Sequence, residues 1–391
     1  MKQLKDINLQ NKRVLIRADF NVPLDENLKI TNNNRIKEFI PTVRYILENG
    51  GKPIIMSHLG RPDGKPNPKY SLKSVVGELE KLSGAKVVFA DDCIGSATLE
   101  MSNKIGSNEI LLIENLRFYD AEEGNDLSFA KELAKLGDVY VNDAFGTAHR
   151  EHASMVGVPK LLTEKAPGLL MQKEIDYYNK VLIEPKRPLC VVLGGSKVST
   201  KLPILTNLAK KADKIIIGGA MANTFLSAQG IQVGRSLHEP DLHSKVIEIM
   251  GTLARRNCKL YIPVDFKVGK GLTSEAMSNP VTSQEIPADL MALDIGPATC
   301  ILYETALNSA ETILWNGPMG AFENPSYAEG TEFLTKSIAS AQGLSVVGGG
   351  DTVVAVENLG LEHKFDFIST GGGAFLSLLE GNSLPGFDAL E

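Results

Sequence analysis

Short apolar runs that stop abruptly at a polar residue or a glycine recur along this chain. Most are followed by a segment of helical periodicity. In the first half the runs are VLIRADFN from Val14, PIIMSHLGR from Pro53, VVFADD from Val87, ILLIENLRF from Ile110 and VYVNDAFG from Val139. The second half has CVVLGG, KIIIGG, KLYIPVD, TILWNGP, LSVVGGG and FDFISTGGG. A run that is apolar at nearly every position has no solvent face, so it fits a parallel strand covered on both sides. The intervening segments supply the cover. In IKEFIPTVRYILENG, the residues Ile36, Phe39, Ile40, Val43, Ile46 and Leu47 keep the i, i+3, i+4, i+7 spacing, and Gly50 suits the C-cap. SFAKELAKLGD predicts another helix with Ser128 as N-cap, and LHSKVIEIMGTLARR and GTEFLTKSIASAQG predict two more. Strand–helix alternation in both halves predicts an α/β fold of two doubly wound parallel-sheet, Rossmann-like domains.

A chain of 391 residues exceeds one ordinary core, which also favours two domains. The expected division is an N-terminal domain over 1–170, an inter-domain hinge helix over 171–187 and a C-terminal domain over 188–377. The hinge reading rests on GLLMQKEIDYYNKVLIEPKRP, a charged helix running into Pro185 and Pro188. A net charge of -6 argues against nucleic acid as a bulk electrostatic partner. Cys93, Cys190, Cys258 and Cys300 are scattered without C-x-x-C, so neither a disulfide framework nor a zinc site is expected. MKQLKDINLQ lacks an apolar leader and no stretch approaches a membrane span, so the expected location is cytoplasmic with no membrane partner.

Ligands of open parallel sheets bind beyond the strand C-termini. In the first half that rule selects Arg17, Asp19 and Asn21, then His58 and Arg61, Arg117, and Asp143, with Arg150 a few residues on. Arginine grips phosphate or carboxylate by paired hydrogen bonds, so the group implies a small ligand with at least one phosphate and a second anionic group. A single arginine is usually a surface ion-pair partner, the reading kept for Arg13 and Arg44. In the second half the rule selects Gly194-Gly195, Gly218-Gly219, Asp265, Asn316, Gly349-Gly350-Asp351 and Gly371-Gly372-Gly373. One glycine pair is usually a tight turn and nothing more, but four at strand ends suit phosphate against backbone N–H groups. Asp351 is the candidate Mg²⁺ ligand, since Mg²⁺ keeps one or two protein carboxylates. Lys197 and Lys201 are four apart and would share a face if that segment is helical. Neither G-x-G-x-x-G nor G-x-x-x-x-G-K-[ST] is present, and no nucleophile with a base stands out. Two anionic ligands and direct transfer between them follow.

RADFNVP, SHLGRP, ENLRF, NDAFGTAHR, LGGSKVSTKL, WNGPMGAFE, GGGDTV and STGGGAFL, in this order, resemble the signature segments of the phosphoglycerate kinase family. The resemblance implies reversible Mg-dependent transfer from 1,3-bisphosphoglycerate to ADP, giving 3-phosphoglycerate and ATP after hinge closure. It implies that Asp19, Asn21, Arg35, His58, Arg61, Arg117 and Arg150 contact the triose acid. Lys201, Gly218, Gly219, Asn316, Glu323, Gly349, Gly350, Asp351 and Thr352 would contact the nucleotide, with Asp351 near Mg²⁺. Arg35, Lys197, Gly371, Gly372 and Gly373 would hold the transferring phosphoryl group. It further implies a monomer whose segment from about Leu378 returns to the N-terminal domain. The sequence departs from the family at Glu151, Pro167, Thr200 and Phe375, none of them an implied contact. A nicotinamide-dependent dehydrogenase and a non-catalytic two-lobed binding protein share the outline. The missing dinucleotide fingerprint counts against the first, and two anion sites with paired lysines count against the second.

Overall fold

The computed structural model describes residues 1–391. The chain forms two compact units, Met1–Ile175 with Ser383–Glu391, and Asp176–Asn382. No helix is long and apolar enough to cross a membrane.

The first unit is built on β1 (Arg13–Arg17), β2 (Lys52–Met56), β3 (Lys86–Ala90), β4 (Glu109–Ile113), β5 (Val139–Asn142) and β6 (Glu164–Pro167). They form one sheet in the order β3-β4-β2-β1-β5-β6, parallel throughout. β1 shows why the runs lack alternation. Val14 and Ile16 face one apolar cluster, with Ile36, Phe39 and Val43 from the helix Asn34–Glu48. Leu15 faces the other, with Phe129 and Leu133. Both faces are dry, so every position is apolar. Pro167 ends β6, an edge strand, where a residue without an N–H is tolerated.

The helix Asn34–Glu48 buries the expected stripe, and Gly50 just beyond it takes a left-handed φ of 72°. The helix Leu127–Ala134 differs in its cap. Asp126, not Ser128, accepts the Phe129 N–H at 2.9 Å, and Ser128 donates its hydroxyl to Asp126. A carboxylate accepts more strongly than a hydroxyl at the positive helix end.

The second unit holds β7 (Leu189–Leu193), β8 (Lys214–Ile217), β9 (Lys259–Tyr261), β10 (Asp265–Gly269), β11 (Val281–Thr282), β12 (Met291–Ile295), β13 (Thr312–Asn316), β14 (Leu344–Val347) and β15 (Phe367–Ile368). Six of these make a parallel sheet, β15-β14-β13-β7-β8-β9. KLYIPVD, read as one strand, is two. β9 ends at Tyr261, Ile262-Pro263 follow, and β10 leaves for a separate antiparallel sheet β11-β10-β12. Asp265 therefore begins a strand and ends none.

In each parallel sheet the chain starts in the middle and later crosses to the other side. The reversal lies between β1 and β5 in the first unit and between β7 and β13 in the second. Adjacent connections diverge there, which leaves a crevice at the strand C-termini.

Candidate active site

Arg17 ends β1 and is fully buried. Its Nε–H donates to Ser154 Oγ at 2.8 Å, a second N–H donates to the Ala18 carbonyl, and Nη2 lies 3.3 Å from His58 Nδ1. Asp19 stands 3.9 Å from the same His58 nitrogen and forms an ion pair with Arg35. Burial works to raise the Asp19 carboxyl, but His58, Arg35 and Arg17 beside it outweigh that and hold it below its ordinary range. Burial, then Arg17, Arg117 and Arg35, hold His58 well below its ordinary value against the pull of Asp19. His58 is therefore neutral at pH 7.

Gly60 joins this group to the next. Its N–H donates to Asn21 Oδ1 at 2.9 Å, and its carbonyl accepts from Arg117 at 3.0 Å. Gly60 has φ 63°, and an added Cβ would stand 2.3 Å from the Tyr70 ring, so only glycine fits. Arg117 then lines a cavity of about 430 Å³ with Arg61 and Arg150. Asp63, Asp120 and Glu123 line it too, and Glu123 pairs with Arg117 at 3.0 Å. The arginines there are arranged but not free of counter-charge. All seven residues expected at a triose acid thus lie in one connected region of the first unit. The expectation for Asp143 fails. It is buried and accepts the Met171 N–H at 2.9 Å, so it caps the helix Leu169–Tyr178, and burial pushes its carboxyl up to about 7.

In the second unit the strand ends meet backbone to backbone. An added Cβ on Gly194 would stand 2.0 Å from the Pro318 carbonyl oxygen, which glycine alone permits. An added Cβ on Gly219 would stand 2.5 Å from the Gly195 carbonyl oxygen. Asn316 ties the ends together. Its backbone carbonyl accepts the Gly194 N–H at 2.9 Å, its side-chain amide donates to the Gly348 carbonyl at 2.6 Å, and its Oδ1 accepts from Lys201 Nζ. Thr352 Oγ1 accepts the Gly317 N–H at 2.7 Å. Gly349 caps the helix Gly350–Glu357, which carries Asp351 exposed in its first turn. Burial lowers the Lys201 ammonium, opposed by the carboxylates of Asp351 and Glu380. The fourth glycine cluster opens the helix Gly373–Glu380, whose Phe375 packs on Gly348. Gly194, Gly218, Gly348 and Gly371 therefore mark one end of one sheet.

Two expectations change here. Lys197 and Lys201 do not share a helix face, because the helix begins at Leu202 and the residues before it are turns. Lys201 points to Asn316, while Lys197 is exposed, as is Glu323. Asp265 caps the helix Pro297–Leu307, accepting from Ala298 N at 3.0 Å and Thr299 N at 2.8 Å. Ser154 and Glu122 were not legible as parts of the cradle. Glu122 lies in the acidic stretch DAEEGND, yet it is fully buried.

The chain matches the family model described as phosphoglycerate kinase over residues 4–382. A phosphoglycerate kinase of Desulfotalea psychrophila is 49% identical over 391 residues, covering 100% of both chains. That of Aquifex aeolicus is 46% identical over 384 residues, covering 98% of this chain and 96% of its own. The solved phosphoglycerate kinase of Coxiella burnetii superposes with a TM-score of 0.92 at 37% identity, covering 100% of this chain and 98% of that one.

Proposed function

Because the chain belongs to the phosphoglycerate kinase family, we propose that its two units divide that kinase's substrates between them. The first unit takes the triose acid and the second takes the nucleotide. The observation that carries this is the contrast in donors. Arginine side chains, interleaved with Asp63, Asp120 and Glu123, line the first crevice, and backbone at crowded glycines lines the second.

Arg61, Arg117 and Arg150 suit the phosphate of 3-phosphoglycerate, which a guanidinium grips in bidentate fashion. Asp19, Asn21 and neutral His58 suit the hydroxyl and carboxyl end. Arg35 has five N–H donors and uses one on Asp19, so others remain for the transferring phosphoryl group. On the other side, Gly218 and Gly219 suit the adenine, and Lys201, Asn316, Glu323 and Gly349 to Thr352 suit the ribose and phosphates. Lys197 and the Gly371–Gly373 turn would neutralise the developing charge.

Mg²⁺ fits this arrangement. No group of three His, Cys, Asp or Glu residues is gathered as a protein cage. Mg²⁺ bound with nucleotide phosphates needs only one or two carboxylates, and Asp351 is exposed at a helix N-terminus beside Lys201. The bound ion would offset phosphate charge. Ser154, whose hydroxyl is held by Glu122, is fully buried beneath the first crevice and offers no exposed nucleophile there, which supports direct in-line transfer. The chain is taken as a cytoplasmic monomer.

The test is steady-state kinetics of Arg150→Ala, with 1,3-bisphosphoglycerate and ADP as substrates and ATP read out. KM for the triose acid should rise about 10- to 100-fold, the loss of one or two charged hydrogen bonds. KM for ADP should stay put. A change confined to ADP would reverse the assignment of the units.

A further inference from the structure

The polar groups beneath the first crevice obey a strict order of donors and acceptors. Glu122 is fully buried and accepts both the Ser154 N–H at 2.9 Å and the Ser154 O–H at 2.5 Å. A hydroxyl has one proton. Having given it to Glu122, Ser154 Oγ can only accept, and it accepts from Arg17 Nε–H at 2.8 Å. Arg17 cannot swing away, since a second N–H is held by the Ala18 carbonyl. What remains is Nη2, 3.3 Å from His58 Nδ1. A guanidinium has no lone pair to offer, so Nδ1 must supply one. The proton of the neutral ring then sits on Nε2.

Asp19 competes for the opposite tautomer, since a carboxylate facing Nδ1 favours a proton there. It stands farther off, at 3.9 Å, and is already occupied by Arg35 and by the Asn21 N–H at 3.2 Å. Arg17 is nearer and wins. The other charged groups acting on the ring, Arg117 and Arg35, are cationic and do not favour Nδ1–H.

We infer that Ser154 and Glu122 are positioning residues for the triose-acid site: they clamp the buried Arg17 so that it fixes His58 as the Nε2–H tautomer, a hydrogen-bond donor to an anion. This rests on the assignment of the first unit to the triose acid. Neither residue needs to touch the ligand. They act through Arg17, and Arg17 acts through His58. The fully buried guanidinium lies between Asp19, held below its ordinary range, and Glu122, whose carboxyl burial pushes up while Arg17 pulls it down.

Two measurements test this. In the unliganded full chain with ¹⁵N-labelled imidazoles, long-range ¹H–¹⁵N spectra at pH 6–8 should show His58 Nδ1 unprotonated and Nε2 protonated. The signal is assigned by its loss in His58→Gln. An Nδ1–H tautomer or an imidazolium overturns the clamp. The second measurement is Ser154→Ala, which deletes the acceptor of Arg17 Nε. It should give mixed tautomers and raise KM for 3-phosphoglycerate about tenfold, the worth of one hydrogen bond to a charged group. Its kcat and its KM for ATP should hold within about twofold. Should that variant fail to fold, Glu122→Gln gives the same readout, because the Ser154 N–H and O–H go to different Glu122 oxygens and the amide replaces one of these with a donor. Wild-type tautomer and KM in the folded variant overturn the proposal. An Nε2–H signal in a wild-type protein that does not bind 3-phosphoglycerate supports the clamp and refutes the assignment of the site.

Discussion

Arg35→Ala separates folding from chemistry at one residue. The Arg35 side chain is 40% exposed, whereas Asp19 opposite it is 12% exposed. Solvent screens a pair that open on one side, so its loss should cost about 1 kcal/mol of stability, nearer a surface pair than a buried one. Asp19 keeps its Asn21 N–H contact, and Arg17 still acts on it, so it is not left as an isolated buried charge. A protein of this size tolerates such a loss without unfolding. Activity should behave differently. One hydrogen bond occupies Arg35, and under the proposed function its remaining N–H groups would meet charge that grows only during transfer. Removing one preorganised donor of that kind lowers kcat by about 10²–10³-fold. KM for either substrate should change by less than about fivefold if, as proposed, Arg61, Arg117 and Arg150 carry most of the ground-state binding. Arg35→Lys should recover little, since an ammonium lacks the planar fork. The assays are urea unfolding for stability and ATP formation under saturating substrates for kcat. An unchanged kcat, or a kcat loss matched by a stability loss above about 4 kcal/mol, refutes the reasoning.

Other perturbations read other parts of the structure. Gly194→Ala drives a Cβ to 2.0 Å from the Pro318 carbonyl, which is backbone and cannot swing aside. It should cost about 1–3 kcal/mol in urea unfolding and weaken nucleotide binding in calorimetry, with 3-phosphoglycerate binding intact. Lys201→Met leaves Asn316 Oδ1 without its donor and should raise KM for ADP about tenfold, leaving KM for the triose acid unchanged in the same assay. His152 is nearly buried, and burial with Arg17, Arg117 and Arg150 nearby lowers it to about 3, below the ordinary 6.5. Its contribution is present above pH 6.5 and is lost as pH falls toward that lower value, because only the unfolded chain takes the proton. His152→Gln should therefore flatten the fall in stability between pH 6.5 and 5 by about 1 kcal/mol, allowing for solvent screening, as urea melts at several pH values would show.

The parallel sheets were legible because both faces of β1 and β7 are buried, which forces a pattern with no alternation. Arg17, His58, Arg117, Asn316 and Gly349 lie at or just beyond strand C-termini, where the strand-end rule put them. It overreached at Asp143 and Asp265, which cap helices. A buried aspartate that caps a helix and one that meets a ligand carry the same letter in the same kind of loop. Only the position of the next helix tells them apart. The helix face that Lys197 and Lys201 would have shared is absent because the helix starts only at Leu202. Their spacing alone cannot distinguish a turn from a helix. Glu122 and Ser154 stayed hidden for a different reason. Their partner Arg17 is more than a hundred residues away in the chain, and an acidic stretch gives no local sign that one of its carboxylates is buried.

The division of two anionic ligands between two units is the central claim, and hydrogen exchange with each ligand alone tests it most directly. With 3-phosphoglycerate, protection should rise around residues 57–61, 115–118 and 149–150, and nowhere at the strand ends of the second unit. With Mg-ADP, it should rise around residues 194–201, 218–219, 316–319 and 348–353, leaving the first unit unchanged. Protection of the same unit by both ligands, or of the opposite unit by either, would contradict the account.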